Sequence, residues 1–353
     1  MLSQNMEKWI SGNDVIHLVK DLQLSCALKD LNFIEQRPID LYYSLCGKLF
    51  NMLRESSEDR HDWFAIGRAL DGVSHDLANG MDNDALFYSA VAFYMGGYPA
   101  SSVMTARKIV NQDWHDSIWD SCLEFLSHNL TKNNLRSGQL LMWLESGKSL
   151  EIDQAVKKAK YDTEIALKIG PDEWVANRIY LALIQKFSKT NIRAVLPNGF
   201  SDKWNILIES FINRKKPIWD LFPSQIEAIN AGLLDDSKTF SIQMPTGSGK
   251  TALTETLFYE HLFQAPNNKA VLLVPYRALA KELRGSIGKN LTSMGFPARA
   301  VYGGTVPTPD EARDLVNDAR LIIATPEAFT GTIGISPELL ENVSLVVCDE
   351  GHF

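Results

Sequence analysis

Apolar residues recur at three- and four-residue steps through most of the first 215 residues. This period is typical of amphipathic helices, and turn-forming clusters of glycine, proline and asparagine interrupt it. We therefore predict an all-α domain over residues 1–215. Its expected helices are 16–31, 41–53, 84–95, 101–111, 118–129, 137–145, 152–169, 173–187 and 203–212.

The pattern differs in residues 216–353, where short apolar runs are typical of strands. One run covers residues 239–243, and a second, at 345–348, has the uninterrupted apolar character of a buried strand. Residues suited to phosphate and metal chemistry follow each run. The ends of these two predicted strands are therefore where we expect a functional site.

A glycine-rich turn follows the first predicted strand and leads into a helical run that begins at Ala252. Its glycines allow backbone N–H groups to surround a phosphate, and the next helix adds its positive end. In such loops the lysine reaches the β- and γ-phosphates and the following threonine binds Mg²⁺. A turn without a ligand is the alternative. The expected phosphate-binding residues are Thr246, Gly247, Ser248, Gly249, Lys250 and Thr251.

Two carboxylates follow the second predicted strand, Asp349 and Glu350. A carboxylate at the tip of a parallel strand can hold the Mg²⁺ of a nucleotide, and a second carboxylate can polarise the attacking water. We therefore assign Asp349 to the metal and Glu350 to the water. An acidic turn after a core strand is the alternative, and the phosphate loop makes it less favoured.

This set of motifs resembles that of superfamily-2 helicases of the DExH kind. Residues 221–229 are similar to the family's Q motif, in which a glutamine pairs with adenine, so the resemblance implies that Gln225 selects ATP. It also implies that His352 links the nucleotide state to later motifs. Phe222 or Trp219 is expected to cover the adenine, and packing of the linker on the lobe is the alternative for both.

Three further motifs lie between the phosphate loop and the acidic pair, in the family's order. Residues 274–283 resemble motif Ia, residues 303–305 the glycine pair, and residues 325–327 motif Ib. The resemblance implies a track for one strand of DNA or RNA, formed by Arg277, Gly303, Gly304 and Thr325. Arg277 supplies charge, the glycines permit close approach, and Thr325 can cap a helix that faces a phosphate. Separately, the glycine pair is also explained as a turn that ends a strand, and residues 325–327 are also explained as a plain helix start.

Residues 277–280 and the DExH form of the box resemble the Ski2-like group, although Gly351 departs from the bulkier residue common there. The resemblance implies an α/β RecA-like lobe with a parallel sheet over residues 216–353. No motif III, second lobe or arginine finger follows Phe353. We therefore expect an amino-terminal fragment that hydrolyses ATP poorly alone, with a gap in its sheet where the motif III strand inserts.

The composition is that of a globular protein, with a net charge of −8 and 45% hydrophobic residues. An acidic balance does not exclude nucleic-acid binding, because affinity depends on the local basic surface. No apolar run reaches the length of a membrane span, and no signal-peptide pattern is present, so a cytoplasmic protein with no membrane partner is expected. The four cysteines are spaced like reduced packing residues, not like zinc ligands or a disulfide set.

The leading interpretation is an ATP-driven nucleic-acid helicase or translocase with ATP and Mg²⁺ as cofactors. A P-loop ATPase of another lineage and a nucleotide-gated interaction protein of a defence or repair complex are the alternatives. The helical domain is expected to bind a protein partner, and an accessory nucleic-acid role stays open. A long helical extension before a Ski2-like motor also resembles helicases of bacterial anti-phage systems of the Hachiman type, which implies a nuclease partner.

Overall fold

The computed structural model describes residues 38–78, 80–109, 117–131, 134–147, 149–235, 239–244, 247–301 and 308–349. The predicted helix at 16–31 lies outside these ranges. The chain divides into two compact units, residues 1–200 and 201–353. The second unit begins upstream of the expected boundary at 215/216, because residues 201–214 pack on a helix of that unit. None of the described helices is both long and apolar enough to cross a membrane.

The first unit is helical wherever it is described, as the apolar period predicts. Its helices are α1 Pro38–Glu55, α2 Arg60–Ser74, α3 Met81–Met95, α4 Pro99–Ala106, α5 Ile118–Leu126, α6 Leu135–Ser146, α7 Ser149–Ile169, α8 Pro171–Thr190 and the short α9 Ile192–Val195. Helix α2 was not predicted. A glycine, Gly67, lies on its buried face beside Trp63, Ile66 and Leu70, and the reason lies in its packing.

Gly67 lies in the middle of α2 and is buried against α3. A Cβ at this position would lie 2.9 Å from Cδ1 of Phe93, which is closer than two carbon atoms can pack. The hydroxyl of Ser89 on α3 donates to the carbonyl of Gly67 at 2.7 Å. The glycine therefore allows two helices to approach closely, although it weakens the local helix propensity.

Aromatic side chains connect four helices in the core of the first unit. The ring of Phe125 on α5 lies edge-on to Tyr94 at 5.1 Å and to Phe187 at 5.5 Å. Phe187 on α8 in turn contacts Trp143 on α6 at 5.8 Å. Such edge-to-face pairs add to the free energy gained by burial. Trp63 and Trp143 are at most 2% exposed and belong to this core.

Helix carboxyl ends in both units are capped by cationic side chains from other parts of the chain. The last carbonyls of a helix lack intrahelical partners and carry partial negative charge, so a buried cation there satisfies both needs. These contacts are Arg178 to Leu53 and Arg54, Lys186 to Met95, Arg107 to Ser127, Arg193 to Leu144 and Glu145, Arg320 to Leu262 and Ala265, and Lys269 to Ala319.

The second unit alternates helices with strands. After a 3₁₀ turn at Asp202–Trp204 come α10 Asn205–Ile212, α11 Pro223–Asn230, α12 Lys250–Gln264, β1 Lys269–Leu273, α13 Arg277–Leu283, a π-helical turn at Arg284–Gly288, α14 Lys289–Ser293, β2 Ala298–Val301, α15 Pro309–Asn317, β3 Leu321–Ala324, α16 Pro326–Ile335, a 3₁₀ helix at Pro337–Asn342 and β4 Val343–Cys348.

The four strands form a parallel sheet in the order β2-β3-β1-β4. Ala270 of β1 lies opposite Leu321 of β3 and Leu345 of β4. The central strands are buried except for Leu273 at the end of β1, as expected for a parallel sheet covered on both faces. This arrangement confirms the predicted order of an all-α region followed by an α/β lobe with a parallel sheet.

Two details of the predicted sheet are wrong. Residues 239–243 form no strand. Within the described residues they do not pair with β4, whose neighbour in the sheet is β1. For the same reason β4 is an edge strand whose alternate residues are exposed, with Val346 at 50%. Cys348 is exposed and is therefore not a core residue, whereas Cys46 and Cys122 are buried free thiols; Cys26 lies outside the described residues.

Candidate nucleotide-binding site and strand track

The glycine-rich loop leads directly into α12 in the structure. Gly247 and Gly249 adopt φ values of +79° and +80°, a left-handed region that glycine enters without steric cost. A Cβ at Gly247 would meet no atom within 4 Å, so the loop is open at this point. Lys250 and Thr251 are exposed in the first turn of α12, where a helix offers backbone N–H groups and its positive end. The described loop residues therefore fit a phosphate group.

The predicted adenine-binding residues contact the end of this loop. The amide oxygen of Gln225 accepts from the N–H of Phe222 at 2.7 Å, and its Nε2 donates to the carbonyl of Gly249 at 2.8 Å. Phe222 also lies against Gly249, since its Cδ2 is 3.1 Å from where a Cβ would be. Trp219 is only 2% exposed, which favours its packing role. Gln225 and Phe222 therefore brace the loop from the side on which the base is expected.

Helix α12 runs from the loop towards the amino edge of the sheet. Near its last turn, Nε2 of His261 lies 2.8 Å from Oγ of Ser344 at the start of β4. Arg320, which immediately precedes β3, donates to carbonyls of the same turn. From Lys250 to His261 the helix rises by about 16 Å, and from Ser344 to Asp349 the strand extends by about the same length. The beginning of α12 and Asp349 therefore both lie towards the carboxyl edge.

Asp349 is held in place by its backbone. Its N–H donates to the carbonyl of Leu273, the last residue of β1, at 2.9 Å, and the residue is half-buried. A carboxylate at this edge is the type of group that can bind the Mg²⁺ of a nucleotide. The other predicted residues of the site, Thr246, Glu350, His352, Gly303 and Gly304, lie outside the described residues.

Within the described ranges, no group of three or more histidine, cysteine, aspartate or glutamate side chains is arranged to hold a metal ion. Thr251 and Asp349 offer one hydroxyl and one carboxylate. Mg²⁺ prefers six oxygen ligands and is commonly held by one or two protein groups together with substrate phosphates and water. The donor set at the loop fits a magnesium ion that arrives with a nucleotide.

The described residues of the predicted strand track lie after β1 and β3. Arg277 begins α13 and is exposed, as is Tyr276 before it. Thr325 caps α16: its hydroxyl accepts from the N–H of Ala328 at 3.4 Å, and Pro326 occupies the first helical position. The predicted helix cap is confirmed. Since parallel strands end at the same edge, Arg277 and Thr325 both lie at the carboxyl edge of the sheet.

One cluster of contacts on α12 was not predicted from the sequence. Glu255 is buried, forms an ion pair with Arg214 and accepts from Nδ2 of Asn290 at 3.4 Å. Burial raises the pKa of Glu255, and Arg214 opposes this shift. Five residues further along α12, Glu260 accepts from Nζ of Lys203 at 2.9 Å through both carboxylate oxygens. Nothing in the sequence pattern indicated these partners.

Comparison with known proteins identifies the second unit. Residues 222–353 match the model of the DEAD/DEAH box helicase family. The Hachiman protein HamB of Bacillus cereus is 30% identical over 225 residues, which cover 62% of this chain and 19% of HamB. The ATP-dependent DNA helicase Hel308 of Methanocaldococcus jannaschii is 34% identical over 139 residues, covering 38% of this chain and 11% of that protein.

A third relative is the RQC trigger complex helicase SLH1 of Saccharomyces cerevisiae, which is 28% identical over 200 residues, covering 54% of this chain and 10% of SLH1. The chain thus spans at most 19% of the length of these three relatives. The matched region contains the phosphate loop, the predicted track residues Arg277 and Thr325, and Asp349. Residues 222–353 therefore match a DEAD/DEAH box helicase domain, and the relatives Hel308 and SLH1 support the resemblance to the Ski2-like group of superfamily 2.

Proposed function

We propose that the full-length protein is an ATP-dependent helicase or translocase that moves along a strand of DNA or RNA. The carrying observation is the geometry of α12, which begins at the open phosphate loop and is pinned by His261 to the start of β4. That arrangement directs the loop and Asp349 towards one edge of the sheet. A nucleotide there lies beside the residues that begin α13 and α16.

Each residue of the loop has a proposed role in binding Mg²⁺ and ATP. The backbones of Gly247, Ser248 and Gly249, with Thr246, surround the phosphates. Lys250 neutralises the β- and γ-phosphates, while Thr251 and Asp349 bind the metal. Glu350 orients the attacking water and His352 relays the nucleotide state. Mg²⁺ would offset charge that develops on the phosphoryl group.

The adenine is proposed to bind next to Gln225 and Phe222. In the structure the Gln225 amide already donates once and accepts once. An amide has a second N–H and a second lone pair, so it can pair with adenine without releasing the loop. This double role would make the position of Gly249 sensitive to the identity of the base.

The strand track is proposed to comprise Arg277, Gly303, Gly304 and Thr325. Arg277 would neutralise a phosphate, and the amino end of α16 would present N–H groups to another. An Arg277→Ala variant should therefore bind a single strand more weakly and reduce the slope of log affinity against log salt by about 1. A matched Lys168→Ala variant, which removes an exposed cation from α7, should leave both quantities unchanged.

The activity is tested by measuring Mg²⁺-dependent ATP hydrolysis by the full-length protein with and without single-stranded DNA or RNA. We expect the strand to stimulate hydrolysis, and Lys250→Ala to abolish it because the γ-phosphate loses its counter-charge. Lys168→Ala again serves as the control. A wild-type rate that no DNA or RNA increases would contradict the helicase proposal and favour a P-loop ATPase of another lineage or a nucleotide-gated interaction protein.

A second proposal concerns the physiological setting, a bacterial anti-phage defence system acting in the cytoplasm. The match to HamB covers 62% of the chain, more than residues 222–353 contain, so it extends into the sequence before the helicase domain. We propose that the helical first unit binds a protein partner of that system, such as a nuclease. Cells carrying the wild-type protein and its neighbouring genes should restrict phage growth, and Lys250→Ala should remove the protection.

The salt dependence of binding tests whether the partner of the first unit is a protein or a nucleic acid. Binding of a protein through apolar contacts should persist at raised ionic strength, whereas a nucleic acid bound to the first unit would be released steeply as salt increases. Equal phage growth with and without the wild-type genes would argue against the defence role and leave the helicase proposal intact.

A further inference from the structure

Glu255 is a buried carboxylate on the helix that follows the phosphate loop. It lies one helical turn after Thr251 on α12, and its side chain is 1% exposed. One carboxylate oxygen contacts Nη2 of Arg214, and the other accepts from Asn290. Glu255 therefore connects the phosphate-loop helix with the segment before the Q motif and with the helical run that begins within motif Ia.

Asn290 belongs to a continuous helical run that begins at Arg277. Helix α13, the π-helical turn and α14 follow one another without a break over residues 277–293. The run packs against the sheet, since a Cβ at Gly288 would lie 3.3 Å from Cδ1 of Ile323 and 3.4 Å from Cβ of Ala298. Thirteen residues separate Arg277 from Asn290, which is about 20 Å of helix. Movement at one end is therefore expected to reach the other.

The ion pair is a poor source of stability. The side chain of Glu255 is 1% exposed and that of Arg214 is 21% exposed. Charges so far removed from water lose hydration, and their attraction often does no more than compensate for this loss. Within the described residues, Nε of Arg214 is buried without a hydrogen-bond partner, so the guanidinium is incompletely satisfied. Well-packed apolar side chains would suit this space at least as well. A charged pair at such a place is better explained by the geometry that it fixes.

We propose that Glu255 is a positioning residue that couples the phosphate-loop helix to the strand track through Asn290. This inference rests on the proposed helicase function. Binding of a strand at Arg277 shifts the 277–293 run, and the Asn290–Glu255 contact passes that shift to α12 and hence to Lys250 and Thr251. Arg214 holds one oxygen of the carboxylate while the other accepts from Asn290.

The coupling is measured as the ratio of ATP hydrolysis by the full-length protein with and without a single strand, using oligo(dT) and oligo(rU). Asn290→Ala and Glu255→Gln should lower this ratio about three- to tenfold, a typical size for residues that carry coupling between sites. The matched control is Glu260→Gln, which removes the Lys203 ion pair from the same helix without touching α14. It should keep the wild-type ratio.

The result is interpreted together with thermal melting, because Glu255→Gln removes a buried group. Asn290→Ala removes one long hydrogen bond from a half-buried site and should fold normally. If Glu255→Gln and Asn290→Ala both keep the wild-type stimulation of ATP hydrolysis, the proposed coupling is overturned and the proposed helicase function stands. An equal fall in Glu260→Gln would also overturn it, since attachment of residues 201–214 to α12 would then explain the effect. No stimulation of the wild type would overturn both proposals.

Discussion

At the residue scale, the contact between Gly67 and Phe93 leads to a testable expectation. A methyl group at position 67 would overlap the Phe93 ring, and overpacking of a core costs about 1–3 kcal/mol. Alanine would regain up to about 1 kcal/mol of helix propensity. Gly67→Ala should therefore reduce the free energy of unfolding in urea by about 1–2 kcal/mol. Gly334→Ala in α16, where a Cβ meets nothing within 4 Å, should be neutral or stabilising.

Asp59 gives a second expectation at this scale, through pH. It caps α2 by accepting from the N–H groups of Asp62 and His61, and these hydrogen bonds hold the pKa of Asp59 below its usual range. Because the folded-state pKa is depressed, the stabilisation is complete above the unfolded value of about 3.9 and is lost as pH falls through the lower folded value.

Asp59→Asn keeps a good cap but cannot titrate. The variant should melt close to the wild type at pH 6 and lose less stability than the wild type between pH 5 and pH 3. Asp59→Ala should melt lower than both at pH 6. If the wild type and Asp59→Asn respond equally to acid, the aspartate is not the titrating cap.

At the scale of elements, helices are joined by cations that cap their carboxyl ends. Arg193 shows this most fully: it is 1% exposed and donates to the carbonyls of Leu144 at 2.6 Å and of Glu145 and Gly199 at 3.1 Å. Since α6 has no basic residue in its last turn, this arginine supplies the charge that the helix end lacks. The contact fixes α9 against α6.

Arg193→Met should therefore lower the free energy of unfolding by about 3–5 kcal/mol, because buried carbonyls lose their donors. Arg54→Ala is the matched control, since its side chain is 56% exposed in a surface ion pair and such pairs contribute about 0–1 kcal/mol. Thermal and urea unfolding would measure both variants. A loss below about 1 kcal/mol for Arg193→Met would mean that water replaces the guanidinium at the carbonyls.

At the scale of the whole molecule, nucleotide binding should be visible as stabilisation of the folded state. At a concentration of Mg²⁺–ATP one hundred times its dissociation constant, mass action adds about 2.7 kcal/mol. The full-length protein should therefore melt at a higher temperature with Mg²⁺–ATP, and chelation of Mg²⁺ by EDTA should reverse most of the shift. Lys250→Ala should show no shift. An identical shift with and without the metal would argue against the proposed roles of Thr251 and Asp349.

Local chemistry is the part of this protein that could be predicted. The apolar period marked most helices of the first unit, and the glycines of the phosphate loop lie in the left-handed conformation that the motif requires. Thr325 caps α16 as expected. These features depend on residues close together in the chain, so their physics is contained in a short stretch of sequence. Helix α2 was not predicted, because the reason for a glycine at position 67 is its close contact with Phe93, which lies in another helix.

Tertiary structure decided everything that depends on distant partners. Arg214 meets Glu255 across 41 positions, His261 meets Ser344 across 83, and Arg193 meets Leu144 across 49. The edge position of β4 and the exposure of Cys348 likewise follow from which strand lies next to it. By itself, the sequence determined the chemistry of the loop, because conformation and charge there are local. Only the fold decided which helices and strands hold that loop, because burial and pairing are properties of the neighbours.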